Sequence, residues 1–175
     1  MKHLLKSYSQ KTELSIESTL TLYQDRISLH FKISGALTNY QFPKKEKLKR
    51  ANELWKATCF ELFLANSKTQ SYYEINIFPT LHWNIYYLDT YRAEPKEVIV
   101  SSEPLIKIRE DKQSYEIDFE LKCEALDLAE FEQYNLAVIL LNVEKEREFW
   151  AVNPVGKSPD FHDRGGFTQF ILWSP

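Results

Sequence analysis

Two neighbouring segments of the sequence place polar side chains where they could act together. If residues 58–64 and 72–78 form a hairpin with Glu61 opposite Asn76, the apolar residues of both strands share one face. Glu61, Glu74 and Asn76 then share the other face. Two carboxylates and an amide on adjacent strands suit hydrogen bonds to vicinal hydroxyl groups. The alternative is that these three residues form the solvent-facing side of an amphipathic hairpin.

Aromatic residues flank this hairpin. Trp55 precedes its first strand, and a group of aromatic side chains follows its second strand: Trp83, Tyr86, Tyr87 and Tyr91. A sugar ring offers apolar C–H faces that stack on Trp or Tyr, while its hydroxyls need polar partners. Core packing is the alternative for each of these aromatics, and the sequence leaves Trp83 open between the two roles.

Arg92 comes at the end of the same aromatic stretch, so its five-donor guanidinium would lie near the same sheet. That group suits recognition of hydroxyls or carboxylates. A surface ion pair with Asp89 or Glu94 is the alternative.

The loop at residues 158–166 concentrates reactive side chains between proline and two glycines. Phe161, His162 and Arg164 offer stacking, proton transfer and positive charge in one place. The alternative is a turn held by an Asp163–Arg164 or a His162–Asp160 contact.

Motifs of known enzyme classes are absent from the sequence. It has no GxSxG elbow, no GxGxxG or phosphate-binding loop and no HExxH motif, and its four histidines are scattered. Glu61 and Glu74 could cleave a glycosidic bond, with His162 as a proton carrier, if their separation fits that chemistry. A small glycoside hydrolase is therefore the alternative to a noncatalytic binding protein.

The elements that would position these groups are mostly strands. Residues 13–22 and 27–33 alternate apolar and polar side chains around a turn at residues 24–25, which predicts a β-hairpin. Further strands are predicted at 58–64, 72–78, 83–88, 97–101, 105–109, 115–121, 136–143, 148–152 and 167–172. One short loop helix is predicted at 124–131. With no βαβ alternation, this pattern predicts a single domain over residues 1–175: an all-β, antiparallel sandwich of the immunoglobulin-like or jelly-roll kind.

Composition excludes some classes of partner. The net charge of -3 offers no global attraction for nucleic acid or anionic lipid, and the basic run at residues 43–50 is typical of a solvated loop. No stretch is long and apolar enough for a secretion signal or a membrane helix, so we expect a cytoplasmic protein. Cys59 and Cys123 are expected to be reduced, packed thiols and not a metal site.

Three motifs carry a family resemblance: Leu-Trp-x-x-Thr-Cys-Phe-Glu-x-Phe-Leu from residue 54, Tyr-x-Glu-x-Asn-x-x-Pro from residue 72, and Trp-x-x-Tyr-x-x-Asp-x-Tyr-Arg from residue 83. With the loop at 159–162 and the closing strand at 167–170, they resemble bacterial DOMON-like proteins related to carbohydrate-binding module family 9. The resemblance implies an immunoglobulin-like sandwich that clamps a sugar between two aromatic rings.

The resemblance also implies roles for individual residues. Trp55 would be one wall of the clamp, Glu61 a hydroxyl acceptor, and Asn76 and Arg92 polar contacts. Phe161 stands where the second wall is expected, with Trp150 and Trp83 as competitors.

No cofactor is predicted. Some DOMON relatives bind haem through Met or His, but Met1 is the only methionine here, and no dense run of Asp and Asn predicts structural calcium. The expected ligand is a saccharide bound through Trp55, Glu61, Glu74, Asn76, Arg92, Phe161, His162 and Arg164. A third hypothesis is an adaptor domain whose exposed aromatics meet a protein partner.

Overall fold

The fold is a sandwich of two β-sheets. The computed structural model describes residues 1–9, 13–23, 25–124, 126, 128 and 130–172. Within them the first sheet has five strands in the order β1, β3, β4, β11, β10. Their bounds are β1 (Lys2–Leu4), β3 (Ser15–Leu22), β4 (Arg26–Ser34), β11 (Ser114–Lys122) and β10 (Leu105–Glu110).

The second sheet carries the polar hairpin. Its order is β2, β13, β12, β6, β7, β8, β5, with β14 paired to β12 and β9 to β8. Its strands are β2 (Lys6–Ser7), β5 (Lys49–Arg50), β6 (Cys59–Asn66), β7 (Tyr72–Ile77), β8 (His82–Leu88), β9 (Lys96–Glu97), β12 (Phe131–Leu141), β13 (Arg147–Ala151) and β14 (Gln169–Phe170). All pairings of named strands are antiparallel except that of β5 with β8.

The core lies between the sheets. Phe31 of β4 faces Phe60 of β6 with ring centroids 5.2 Å apart, and Phe60 stacks in turn near Tyr115 of β11 at 6.1 Å. Strands β3 and β4 bury every second residue, because only one of their faces meets the other sheet. Strands β6 and β7 are buried at every position, so both of their faces are covered.

The predicted all-β sandwich is confirmed, with differences in individual elements. The predicted strand at 97–101 shrinks to the two residues of β9, and that at 167–172 to β14. Strands β1, β2 and β5 are too short for an alternation of apolar and polar side chains to be recognised in the sequence. The predicted helix at 124–131 includes residues 125, 127 and 129, which lie outside the described residues. Its described residues are not helical, and Phe131 begins β12.

Two tryptophans and both cysteines belong to the packed interior. Trp83 and Trp150 are buried in the core between the sheets, and Arg50 from the basic run lies over the Trp83 ring at 4.2 Å. Cys59 and Cys123 are free and buried. No helix in the described part of the chain is long and apolar enough to cross a bilayer.

Candidate functional site

The hairpin of β6 and β7 has the register expected from its pattern. Glu61 lies opposite Asn76, Leu62 opposite Ile75 and Phe63 opposite Glu74. The face that carries Glu61 is not solvent-facing, however. Glu61 is 2% exposed and Glu74 is 7% exposed. The amphipathic-hairpin alternative is therefore wrong.

A second apolar cluster covers part of this outward face. Phe161 from the loop after β13 packs near Phe149 of β13 and Phe63 of β6, with ring centroids 5.9 and 6.4 Å away. Phe167 stacks on Phe63 at 5.8 Å. Opposite Glu61 on β12 and β13 the strands carry only Ala137 and Ala151. These small side chains lie in the same cluster as Phe161, so the loop can approach the sheet closely.

Beside this cluster lies an open cavity of about 690 Å³. The buried carboxyl groups of Glu61 and Glu74 form what we call its floor. Aromatic side chains form the walls: Trp55, Tyr86, Phe149 and Phe161. Polar residues line it further out, among them Asn52, Glu53, Arg92, Glu97, Arg147 and His162. An apolar wall with few convergent polar groups is the usual composition of a small-ligand site.

Trp55 is the exposed aromatic of the cavity. It lies in a single 3-10 turn, Leu54–Lys56, which follows Glu53 in the left-handed conformation with φ of 59°. Leu54 is buried beneath the turn, so the indole is held outward and stays 45% exposed. Phe161 lines the cavity, whereas its competitors Trp83 and Trp150 lie in the inner core and line no part of it.

Glu61 is a carboxyl group that keeps its proton. Burial, together with the charge of Glu74, raises the pKa of Glu61 to about 8. One carboxyl oxygen, Oε1, is buried with no hydrogen-bond partner among the described residues. At neutral pH the group can therefore offer both a donor and an acceptor to a ligand.

Glu74 is held by its neighbours. Its Oε1 accepts a hydrogen bond of 2.6 Å from Asn76 Nδ2, and its Oε2 lies 4.0 Å from His162 Nε2. Burial raises the pKa of Glu74, while the bond from Asn76 and the charge of Arg92 oppose that rise. Glu61 and Glu74 therefore influence each other's ionisation, and Asn76 and Arg92 favour the ionised form of Glu74.

His162 is neutral and its tautomer is fixed. Burial and the charge of Arg92 lower its pKa to about 4. Its Nδ1 lies 2.7 Å from the hydroxyl of Tyr72, and that oxygen also accepts from the backbone N–H of Arg92 at 3.2 Å. Burial raises the pKa of Tyr72 to about 12, so its O–H keeps its proton, and we assign it as the donor to Nδ1 because its oxygen already accepts from Arg92. The proton of His162 is then on Nε2, on the side of Glu74.

Arg92 pairs with a residue that the sequence did not single out as its partner. Its Nη2 lies 2.9 Å from Asp160 Oδ1, so the predicted alternatives Asp89 and Glu94 are wrong. Asp160 also accepts from the Tyr91 hydroxyl at 2.5 Å and from the backbone N–H of His162 at 3.1 Å. Burial opposes ionisation, but the bonds from Tyr91 and Arg92 lower the pKa of Asp160. This set of contacts, the Asp160 bridge, joins the loop after β8 to the loop after β13.

Two predicted site residues do not line the cavity. Asn76 is buried and acts on the site through Glu74. Arg164 donates to the backbone carbonyls of Ser71 and Asn66 at 3.2 and 2.7 Å, so it anchors the loop. The predicted His162–Asp160 turn is present as a backbone contact, and Asp163 caps the short Arg164–Gly166 turn by accepting from Gly165 N–H.

Several cavity residues were not predicted. Tyr86 was considered only as one aromatic among several, although β8 pairs it directly with Glu74. Extending the hairpin's register to a third strand would have found it. Asn52, Phe149 and Arg147 reach the cavity through non-local contacts, and no local signal marks them. No cluster of His, Cys, Asp or Glu in the described part of the chain has the arrangement of a metal site.

Comparison with known proteins supports the fold. No protein-family model and no curated protein sequence matches the chain. Among solved structures, a Bacteroides uniformis ATCC 8492 protein to which carbohydrate binding is attributed is similar with a TM-score of 0.67 and 12% identity, over 95% of this chain and 84% of that one. A family 9 carbohydrate-binding module from Caldicellulosiruptor kristjanssonii, in complex with cellotriose, has a TM-score of 0.51 and 9% identity over 88% and 73%.

The chain thus has a fold related to that of family 9 carbohydrate-binding modules. The finer assignment to DOMON-like proteins stays a prediction.

Proposed function

We propose that this protein is a noncatalytic binding protein for a saccharide or a similar polyhydroxylated ligand. The observation that carries the proposal is the cavity whose aromatic walls stand over buried carboxyl groups with unused hydrogen-bonding capacity. Trp55 and Phe161 would contact the apolar faces of a sugar ring. Glu61, Glu74, Arg92 and His162 would bind its hydroxyls.

The fold supports this proposal. The module from Caldicellulosiruptor kristjanssonii, which shares the architecture, was solved with cellotriose bound. The cavity also opens beside Trp55, whereas an adaptor domain with a lapsed site would present a flat, closed surface there.

Hydrolysis is less well supported by the geometry. Glu61 and Glu74 project from adjacent strands on one face of one sheet, so both approach a ligand from the same side. Glycosidases place their two carboxyl groups on either side of the scissile bond. Glu61 keeps its proton, as a general acid must, so activity is part of the test.

The test is a glycan-array screen of the wild-type protein and Trp55→Ala. We expect binding that falls at least about tenfold in the variant, because a stacking contact of roughly 1.4 kcal/mol is lost. Phe170→Ala is the matched control, since Phe170 is an exposed aromatic that does not line the cavity. It should bind as the wild type does.

Two results would overturn the proposal. Binding that survives in both Trp55→Ala and Glu61→Gln would place the ligand elsewhere. Turnover of a chromogenic glycoside that disappears in Glu61→Gln would make the protein a hydrolase.

A further inference from the structure

The floor of the cavity holds two buried carboxyl groups without a charged cationic partner among the described residues. In that part of the chain Glu61 Oε1 has no hydrogen-bond partner, and the nearest ion-pair partner of Glu74 is His162, at 4.0 Å. His162 is neutral, because burial and the charge of Arg92 lower its pKa to about 4. No charged cation among the described residues therefore lies within ion-pair distance of the Glu74 carboxyl group.

The cations around the cavity are engaged elsewhere. Arg92 pairs with Asp160, Lys56 with Glu53, and Arg50 with Glu97. These contacts use arginine and lysine side chains to neutralise acidic groups at the edge of the cavity. Arg147 is exposed and lies over the Phe149 ring at 5.7 Å. The positive charge of these side chains is thus at the edge of the cavity, and the two buried carboxyl groups on its floor remain without a cation.

The aromatic walls of the cavity also favour a cationic ligand. The π faces of Trp, Tyr and Phe attract cations, and the attraction grows where water is excluded. Four aromatic side chains, Trp55, Tyr86, Phe149 and Phe161, line the cavity above the two carboxyl groups. A neutral hydroxyl can bond to a carboxylate, but it leaves the buried charge uncompensated, whereas an ammonium compensates it.

We infer that the preferred ligand is a saccharide with a free amino group, whose ammonium contacts the carboxyl groups of Glu61 and Glu74. This inference rests on the proposed function and narrows its substrate class. The sugar ring lies against Trp55, and its hydroxyls face Arg92 and the Nε2–H of His162. N-acetylation of the amine removes the charge and adds bulk, so it removes the preference.

The experiment compares three monosaccharides by isothermal titration calorimetry at neutral pH, where most of the amine of glucosamine is protonated. D-Glucosamine should bind at least about tenfold more tightly than D-glucose and N-acetyl-D-glucosamine, a difference of roughly 1.4 kcal/mol. Glu74→Gln should bring the three affinities together, because it removes a carboxyl group that can pair with the ammonium and keeps an acceptor for Asn76.

Two further variants make the result interpretable. Glu61→Gln replaces a carboxyl group that keeps its proton with a neutral amide, so the preference for glucosamine should persist even if the affinity for all three sugars falls, and thermal denaturation checks that the variant is folded. Glu130→Gln is the matched control, since this side chain is 53% exposed, pairs with Lys68 and does not line the cavity. It should keep the preference for glucosamine.

The outcomes separate the two claims. If glucose binds as tightly as glucosamine in the wild type, or if the preference survives in Glu74→Gln, the inference is overturned and the proposed function stands. If neither these sugars nor any member of the glycan array binds, both are overturned.

Discussion

The two faces of β6 and β7 are both buried, yet they differ in what buries them. The inward face, with residues such as Phe60 and Ile75, packs on the other sheet and is apolar throughout. The outward face, with Glu61 and Glu74, is covered by loops and borders the cavity. One pair of strands thus supports the core with one face and the candidate site with the other.

This difference shows how the site is kept rigid. A buried carboxyl group costs stability, so it persists where a large apolar contact holds its strand in place. The hairpin gains that contact from its inward face. The carboxyl groups on the outward face can then stay buried at the floor of the cavity, with Glu61 Oε1 unsatisfied among the described residues.

The largest loss of stability should come from removing a core side chain on the inward face. Phe60→Ala removes a ring that packs against Phe31 and Tyr115, so we expect a loss of about 3–5 kcal/mol in the free energy of unfolding. Denaturant titration measures it. Phe161→Ala, on the outward face, should lose less because its side chain borders open space. Equal losses would show that the two faces contribute alike.

Glu61→Gln should have a smaller effect on the free energy of unfolding, and this effect should depend on pH. The folded pKa of Glu61 is about 8, above the usual value of a glutamate, so the folded state binds an extra proton between these values. Its contribution to stability is present in full at low pH and is lost as the pH rises towards 8 and beyond. Glu61→Gln lacks this dependence of stability on pH. We expect its free energy of unfolding to exceed that of the wild type at about pH 8 by a few kcal/mol at most.

Unfolding curves recorded between about pH 5 and pH 8 check this expectation. Glu53→Gln removes an exposed charge from the same cavity and should leave the pH profile of the wild type nearly unchanged. If the free energy of unfolding of Glu61→Gln depends on pH as that of the wild type does, another group is responsible for that dependence.

The smallest effect on stability should come from the Asp160 bridge. Arg92 is 53% exposed, so Asp160→Asn should cost less than about 1 kcal/mol in unfolding free energy. Saccharide affinity should fall severalfold, because Arg92 and His162 lose a shared partner. Asp89→Asn, which breaks the ion pair with Lys96 outside the cavity, is the control and should leave affinity unchanged. Equal affinity losses in both variants would mean that the bridge does not position the site.

The sequence predicted the hairpin well because alternation fixes which face each residue occupies. Leu62 and Ile75 must share a face, and this constraint placed Glu61 beside Asn76 in the correct register. The described residues of the segment predicted as a helix at 124–131 are not helical, because two turns of apolar spacing are too short to outweigh the pairing that starts β12 at Phe131.

The cavity was harder to predict because it depends on strand order. Phe149 reaches it because β13 pairs with β12 and β12 with β6, and neither pairing is visible in a local pattern. Arg164 has the chemistry of a ligand contact, but its position next to the carbonyls of β6 and the following loop gives it a structural role. Side-chain type indicates what a residue can do, and long-range pairing decides where.

The Asp160 bridge has a consequence for binding kinetics. The bridge joins the loops after β8 and β13 in the free protein. Binding of a ligand therefore needs no loop closure, and little conformational entropy of the chain is lost. Association should then run at a rate set by diffusion and orientation, nearly the same for different sugars. Discrimination between them would lie in how long each stays bound.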